Sequence, residues 1–141
     1  MRILAHLSGD EKMIRAFNDD EDIHARTASE VYGVQIDKVT SDMRRMAKTA
    51  NFAVIYGVTA YGLSMQSDMS MAESKQFIDT YYARYPNIKE YMNGIIEQTK
   101  EDGYVTTLYG RRRYIPEINS RNRQVRQFAE RTAMNLSLIH I

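Results

Sequence analysis

Apolar positions along this chain recur mainly at helical spacing, with one short stretch where the period drops to two. Met13, Ile14 and Phe17 give residues 10–18 one apolar face, which predicts a short amphipathic helix. The acidic run from Asn18 to Asp22 reads as a loop. Residues 23–32 return to helical spacing and stop at Gly33. Thr40, Ser41 and Asp42 offer N-caps for a longer helix over 41–57. Residues 60–68 predict another short helix. Ser70, with Glu73 three residues on, has the form of a capping box. The helix it opens should bury Phe77, Ile78, Tyr81 and Tyr82 and should break at Pro86. Residues 87–101 form the next helix, ended by Gly103. Tyr104–Leu108 and Arg113–Ile115 then read as two short strands, and residues 122–135 as a final helix. The fold class is mainly α with one short β-hairpin.

The helix over 41–57 has two distinct sides. Met43, Ala47, Ala50 and Val54 gather on one, small and apolar, suited to packing against other helices. Arg44, Lys48, Phe52 and Tyr56 are spaced by four, so each is turned about 40° from the last and all share a second broad face. That face offers two cations, a ring, a phenol, and then Gly57, which can end the helix. Cations for phosphates beside a ring for a base suit a nucleoside triphosphate, although such a face is more often simply solvated.

Composition narrows the class. A length of 141 residues fits one domain or part of one. The absence of cysteine excludes disulfides, a thiolate metal site and a cysteine nucleophile. No apolar run approaches the roughly 20 residues of a membrane span, and no signal peptide precedes the first polar residues. A soluble, cytoplasmic monomer is expected. The net charge of +1 conceals an asymmetry: residues 1–42 carry nine acids against five Lys or Arg, while residues 110–131 carry seven Arg against two Glu. Tyr109, Tyr114, Asn119 and Asn122 are interleaved with those arginines, which favours a nucleic-acid backbone as partner.

The order R-x3-K-x3-F-x3-Y-G from Arg44 to Gly57 resembles the fingers-helix motif of family A DNA polymerases, the DNA polymerase I family. Seven further segments follow that family's order. They are Arg2–Ser8, Asp22–His24 with Thr27-Ala28, Tyr85-Pro86, Gly103–Leu108, Gly110–Arg113, Ile115–Ile118 and Ala129–Asn135. The resemblance covers residues 2–135. It implies a fingers subdomain with an incomplete palm: residues 1–17 at the palm edge, 18–102 as fingers helices, and 103–135 as a hairpin and helix returning to the palm. Ala53 departs from the family, where Gly is commoner; both are small.

The resemblance implies template-directed nucleotidyl transfer in DNA replication or repair, with primer–template DNA and dNTPs as partners. His24, Arg44, Lys48, Phe52 and Tyr56 would bind the dNTP, with Lys48 as general acid to the leaving pyrophosphate. Tyr56, Gly57, Arg111, Arg112, Arg131 and Asn135 would contact DNA. The complete enzyme would use Mg²⁺, but the family's metal-binding aspartates lie in a D-Y-S-Q-x-E segment ahead of Arg2 and an H-D-E segment beyond this chain. The Glu that gates against ribose belongs to the first of these. Asp19, Asp20, Glu21 and Asp22 lack calcium-loop spacing and read as a solvated turn. No metal ligand is therefore assigned here, and the 141-residue chain alone is expected to be inactive. Residues 136–141, Leu-Ser-Leu-Ile-His-Ile, match the in-frame translation of a transposon-type sequencing adaptor and are expected to be a non-native tail. Two alternatives stay open: a non-catalytic helical nucleic-acid-binding module, and a fragment of a single-subunit RNA polymerase.

Overall fold

The computed structural model describes residues 1–138. Eight helices and one hairpin follow in chain order: α1 (Arg2–Ser8), α2 (Glu11–Asn18), α3 (Ile23–Tyr32), α4 (Ser41–Ile55), α5 (Ala60–Gln66), α6 (Met71–Arg84), α7 (Pro86–Asp102), β1 (Tyr104–Thr106), β2 (Arg112–Tyr114) and α8 (Arg123–Leu138). Short 3-10 turns lie at Ile36–Lys38 and Pro116–Asn119.

Local chemistry sets most of the helix ends. Asp10 caps α2 by accepting from the Met13 N–H at 3.1 Å, and Asp22 caps α3 by accepting from His24 and Ala25. Thr40 does the same for α4. The Ser70–Glu73 box is closed in both directions. Gly33 and Gly103 adopt left-handed backbone just past α3 and α7.

The structure departs from expectation at several places. Arg2–Ser8 is a helix that the apolar pattern did not indicate; it buries only Leu4 and Ala5. The motif helix stops two residues short of 57, because Gly57 takes φ +64°. The Gly57 N–H reaches Val54 O and the Val58 N–H reaches Ala53 O, a Schellman closure. Pro86 both breaks α6 and starts α7, at a position where its missing N–H costs nothing. The strands are shorter than expected and shifted. Pairing runs Tyr104–Tyr114, Val105–Arg113 and Thr106–Arg112, so Leu108 falls in the turn and Ile115 just beyond β2. Helix α8 continues to Leu138, whose side chain is buried, so three residues of the segment 136–141 are helical; its other three lie outside the described residues.

Two cores result. The main one joins α1 through α7 with the end of α8: Leu4, Met13, Ala28, Ala47, Ala50, Val54, Leu63, Phe77, Tyr81, Tyr85, Ile88, Met92, Met134 and Leu138 among others. Ile14, Phe17, Ile78 and Tyr82 pack at its edge. The smaller one holds Val105, Ile115, Ile118, Ala129 and Ala133 between the hairpin and α8. Among the described residues, no helix is long and apolar enough to cross a membrane.

Candidate nucleotide-binding site

The small residues that bury one side of α4 also decide what the other side presents. Ala47, Ala50, Ala53 and Val54 let α3 and α6 approach closely, and Arg44, Lys48 and Phe52 are left on the open surface. Phe52 is 45% exposed and Tyr56 46% exposed, so neither is a core side chain.

Helix α3 packs along α4 and brings His24 to this wall. The His24 ring lies 6.1 Å from the Phe52 ring, tilted by 39°. Its Nδ1 lies 3.0 Å from Asn51 Nδ2. Arg44 Nε donates to Asp22 Oδ2 at 2.7 Å, so the carboxylate that caps α3 also steadies the guanidinium. Both partners are exposed, and such a pair contributes at most about 1 kcal/mol. Partial burial pushes the Asp22 carboxyl up, but the Arg44 guanidinium and the Ala25 and His24 N–H groups outweigh it and hold the carboxyl below its usual range. Burial pushes the His24 imidazole down. Asp22 opposes that, while Arg44, Lys48 and the amino terminus reinforce it. These effects together favour the neutral form of His24, beside two cations.

Past the helix end, Gly57 lies against α8. A Cβ at Gly57 would stand 2.2 Å from Met134 Cε and 3.2 Å from Arg131 Cγ. Thus Tyr56, Gly57 and Arg131 are neighbours by construction. Asn135, one turn further along α8, keeps a buried Oδ1 without a hydrogen-bond partner among the described residues. Arg111 and Arg112 stand apart from this group. They line a cleft of about 840 Å³ with Arg113, Tyr109, Tyr114 and Leu136, and the Arg112 guanidinium lies 4.8 Å above the Tyr104 ring. The structure thus gathers His24, Arg44, Lys48 and Phe52 on one wall, Tyr56, Gly57 and Arg131 at its end, and the hairpin arginines elsewhere.

No set of three or more His, Cys, Asp or Glu side chains converges to hold a metal among the described residues. The acidic run is spent otherwise: Glu21 pairs with Arg26 and Asp22 with Arg44. These residues do not fit Mg²⁺. Asn51 is what sequence reasoning missed. It is fully buried yet hydrogen-bonded to Thr27 and His24; its spacing, four after Ala47 and three before Val54, is the signal that could have placed it on the inward face.

Known proteins place the chain in a family. The model for DNA polymerase family A matches residues 1–138. The DNA polymerase I of Bacillus subtilis (strain 168) is 51% identical over 135 residues, which is 96% of this chain and 15% of that protein. The DNA polymerase I of Mycobacterium tuberculosis (strain ATCC 25618 / H37Rv) is 49% identical over the same shares. A solved structure, the POL domain of Pol1 from M. smegmatis in complex with DNA primer-template and dNTP, superposes with a TM-score of 0.89 at 44% identity. That match covers 97% of this chain and 24% of the other. The chain spans about 15% of the length of the curated relatives it matches. With mostly helical architecture, a single two-stranded hairpin and a family match across the described residues, this chain belongs to DNA polymerase family A.

Proposed function

We infer that this chain is the nucleotide-binding part of a DNA-directed DNA polymerase, with residues 18–102 as fingers flanked by palm strips at 1–17 and 103–135. One observation carries the reading: His24, Arg44, Lys48 and the half-exposed Phe52 share one open wall. In nucleotidyl transfer a primer 3′-hydroxyl attacks the α-phosphate, the bond to the β-phosphate oxygen breaks, and pyrophosphate leaves. Arg44 offers a planar fork and Lys48 a compact charge to the phosphates. Lys48 also carries a proton that the leaving pyrophosphate can take. His24 adds a third donor. Phe52 lies against the sugar and base, and Tyr56 stacks at the templating end. Gly57, Arg131 and Asn135 face the primer–template, and Arg111 and Arg112 meet its backbone. Among the described residues no side-chain set fits the Mg²⁺ that the family's chemistry would call on. The DNA polymerase I relatives favour this reading over an RNA polymerase or a non-catalytic module.

The test is a graft in which residues 1–135 replace the matched segment of the Bacillus subtilis relative. Single-turnover extension is then measured against dNTP concentration. Each charge-assisted contact is worth about 1.5–3 kcal/mol, roughly 10- to 150-fold. Arg44→Ala should mainly weaken dNTP binding by a factor in that range. Lys48→Ala should mainly slow nucleotide addition, with primer–template affinity unchanged. Loss of primer–template binding alone, in both variants, would assign this helix face to the duplex instead.

A further inference from the structure

A buried amide explains how His24 is presented. Asn51 is fully buried in the middle of α4, among alanines. A side-chain amide in such a place must have its N–H groups accepted. The Thr27 hydroxyl, one turn along α3 from His24, gives its hydrogen to Ile23 O at 2.8 Å. Its oxygen is left as an acceptor, and Asn51 Nδ2 donates to it at 3.2 Å. The second Asn51 N–H points at His24 Nδ1, 3.0 Å away. The Thr27 oxygen also lies 3.3 Å from Asn51 Oδ1, so the amide's two ends are told apart by the ring: with Nδ2 facing it, the matching His24 form has a lone pair on Nδ1 and its hydrogen on Nε2.

We propose that Asn51 is a positioning residue: through Thr27 and its own amide it holds His24 as the neutral Nε2–H tautomer, a single directed donor for a phosphate oxygen. The proposal rests on the nucleotide-binding reading above. The charged groups facing the ring act with the amide. Burial opposes a positive imidazole most strongly, Arg44 and Lys48 on α4 oppose it as well, and Asp22 favours it. Protonating Nδ1 would set an N–H against the Asn51 N–H and force the buried amide to turn. The wall thus carries two permanent cations and one neutral donor. The neutral donor adds direction without a third positive charge, so the grip on a triphosphate does not vary with the protonation of His24 near pH 7.

Long-range ¹H–¹⁵N spectra of the 141-residue chain, labelled at histidine and assigned with His24→Gln, distinguish the two neutral tautomers from the cation. The Nε2–H form at pH 7 is expected; the Nδ1–H form or the cation overturns the proposal. In the grafted polymerase, Gln can place its amide N–H where Nε2–H stood, and Ala cannot. His24→Gln should therefore keep the KM for dNTP within about 3-fold, and His24→Ala should raise it at least roughly 10-fold with little change in kcat. Asn51→Asp puts an acceptor at Nδ1, so it should shift the ring to Nδ1–H or the cation and make KM depend on pH between about 5 and 8. A pH-flat KM in a folded Asn51→Asp variant overturns the link between the two residues. Where that variant does not fold, the spectra and the His24 pair decide. An Nε2–H ring together with an unchanged KM in His24→Ala overturns the nucleotide reading itself, so the two failures are distinguishable.

Discussion

Gly57→Ala tests the joint between α4 and α8, and its cost divides into two parts. Gly57 sits at φ +64°, where an L side chain costs about 1–2 kcal/mol. The added methyl would also stand 2.2 Å from Met134 Cε and 3.2 Å from Arg131 Cγ. Met134 Cε is the far end of a flexible chain, so it can rotate away. Met134 is only 8% exposed, however, and a forced rotamer in a packed site costs about 0.5–1.5 kcal/mol. The backbone part therefore dominates, and the total is about 2–3 kcal/mol. That corresponds to roughly 4–12 °C in Tm for a chain of this size. Gly33→Ala is the matched control: φ is +67°, and no atom lies within 4 Å of the new methyl. It should cost only the backbone part. Urea denaturation of both variants, and of Gly57→Ala combined with Met134→Ala, separates the parts by a double-mutant cycle. A Gly57→Ala cost below about 0.5 kcal/mol would refute the left-handed requirement. A cost equal to that of Gly33→Ala, with no coupling to Met134, would refute the close contact with α8.

Two other outcomes follow from side chains already placed. In the grafted polymerase, Phe52→Tyr should relax discrimination against dideoxynucleotides. An apolar ring edge beside the sugar cannot replace a missing 3′-hydroxyl, whereas a phenol can restore a hydrogen bond worth about 0.5–3 kcal/mol. Because Phe52 is 45% exposed, Tm should hardly move; an unchanged ddNTP/dNTP incorporation ratio would remove Phe52 from the sugar. Asp10 is 3% exposed, and burial pushes its carboxyl up, against the opposing pull of the Met13 N–H and Lys12. A raised folded value means that the stabilising contribution is complete below the ordinary carboxyl range and is lost as pH rises through the raised value. Wild type should therefore lose stability relative to Asp10→Asn over that interval, and a pH-independent difference in urea midpoints would show that the Asp10 carboxyl titrates alike in the folded and unfolded chain.

What could be read from the chain alone follows the chemistry of punctuation. Capping oxygens at Thr40 and Ser70, and the glycines after α3 and α7, mark helix ends through local bonds, so their positions needed no tertiary knowledge; Asp10, expected inside its helix, and Asp22, expected in a loop, cap α2 and α3 by the same chemistry. The two faces of α4 were equally legible, because one helix's periodicity decides which residues lie together. Helix α1 was hidden because seven residues with two buried side chains carry too little period to recognise. Asn51 was hidden for another reason. Its spacing, four after Ala47 and three before Val54, puts it on the apolar face, but only the crossing of α3 and α4 shows that Thr27 and His24 meet its amide there. The strand ends shifted because the hydrogen bonds of residues 107–111, not the hydrophobic pattern, decide where the turn closes.

Helix α8 places buried side chains in both cores, whereas α7 buries Ile88 and Met92 in the larger and only lays Ile95 against the smaller. Ala129 and Ala133 wall the smaller one; Met134 and Leu138 enter the larger. Five buried side chains, two of them alanine, remove far less apolar surface from water than the larger cluster does. The hairpin and the Pro116–Asn119 turn therefore form the cheaper unit to open, and sub-global unfolding should begin there while α2 to α6 remain closed. Amide hydrogens of Val105 and Ile115 would exchange with solvent well before those of Ala47 or Ala50. Arg111 and Arg112 travel with the unit that opens, whereas Arg131 stays against Gly57, so the basic surface comes apart in two stages rather than one.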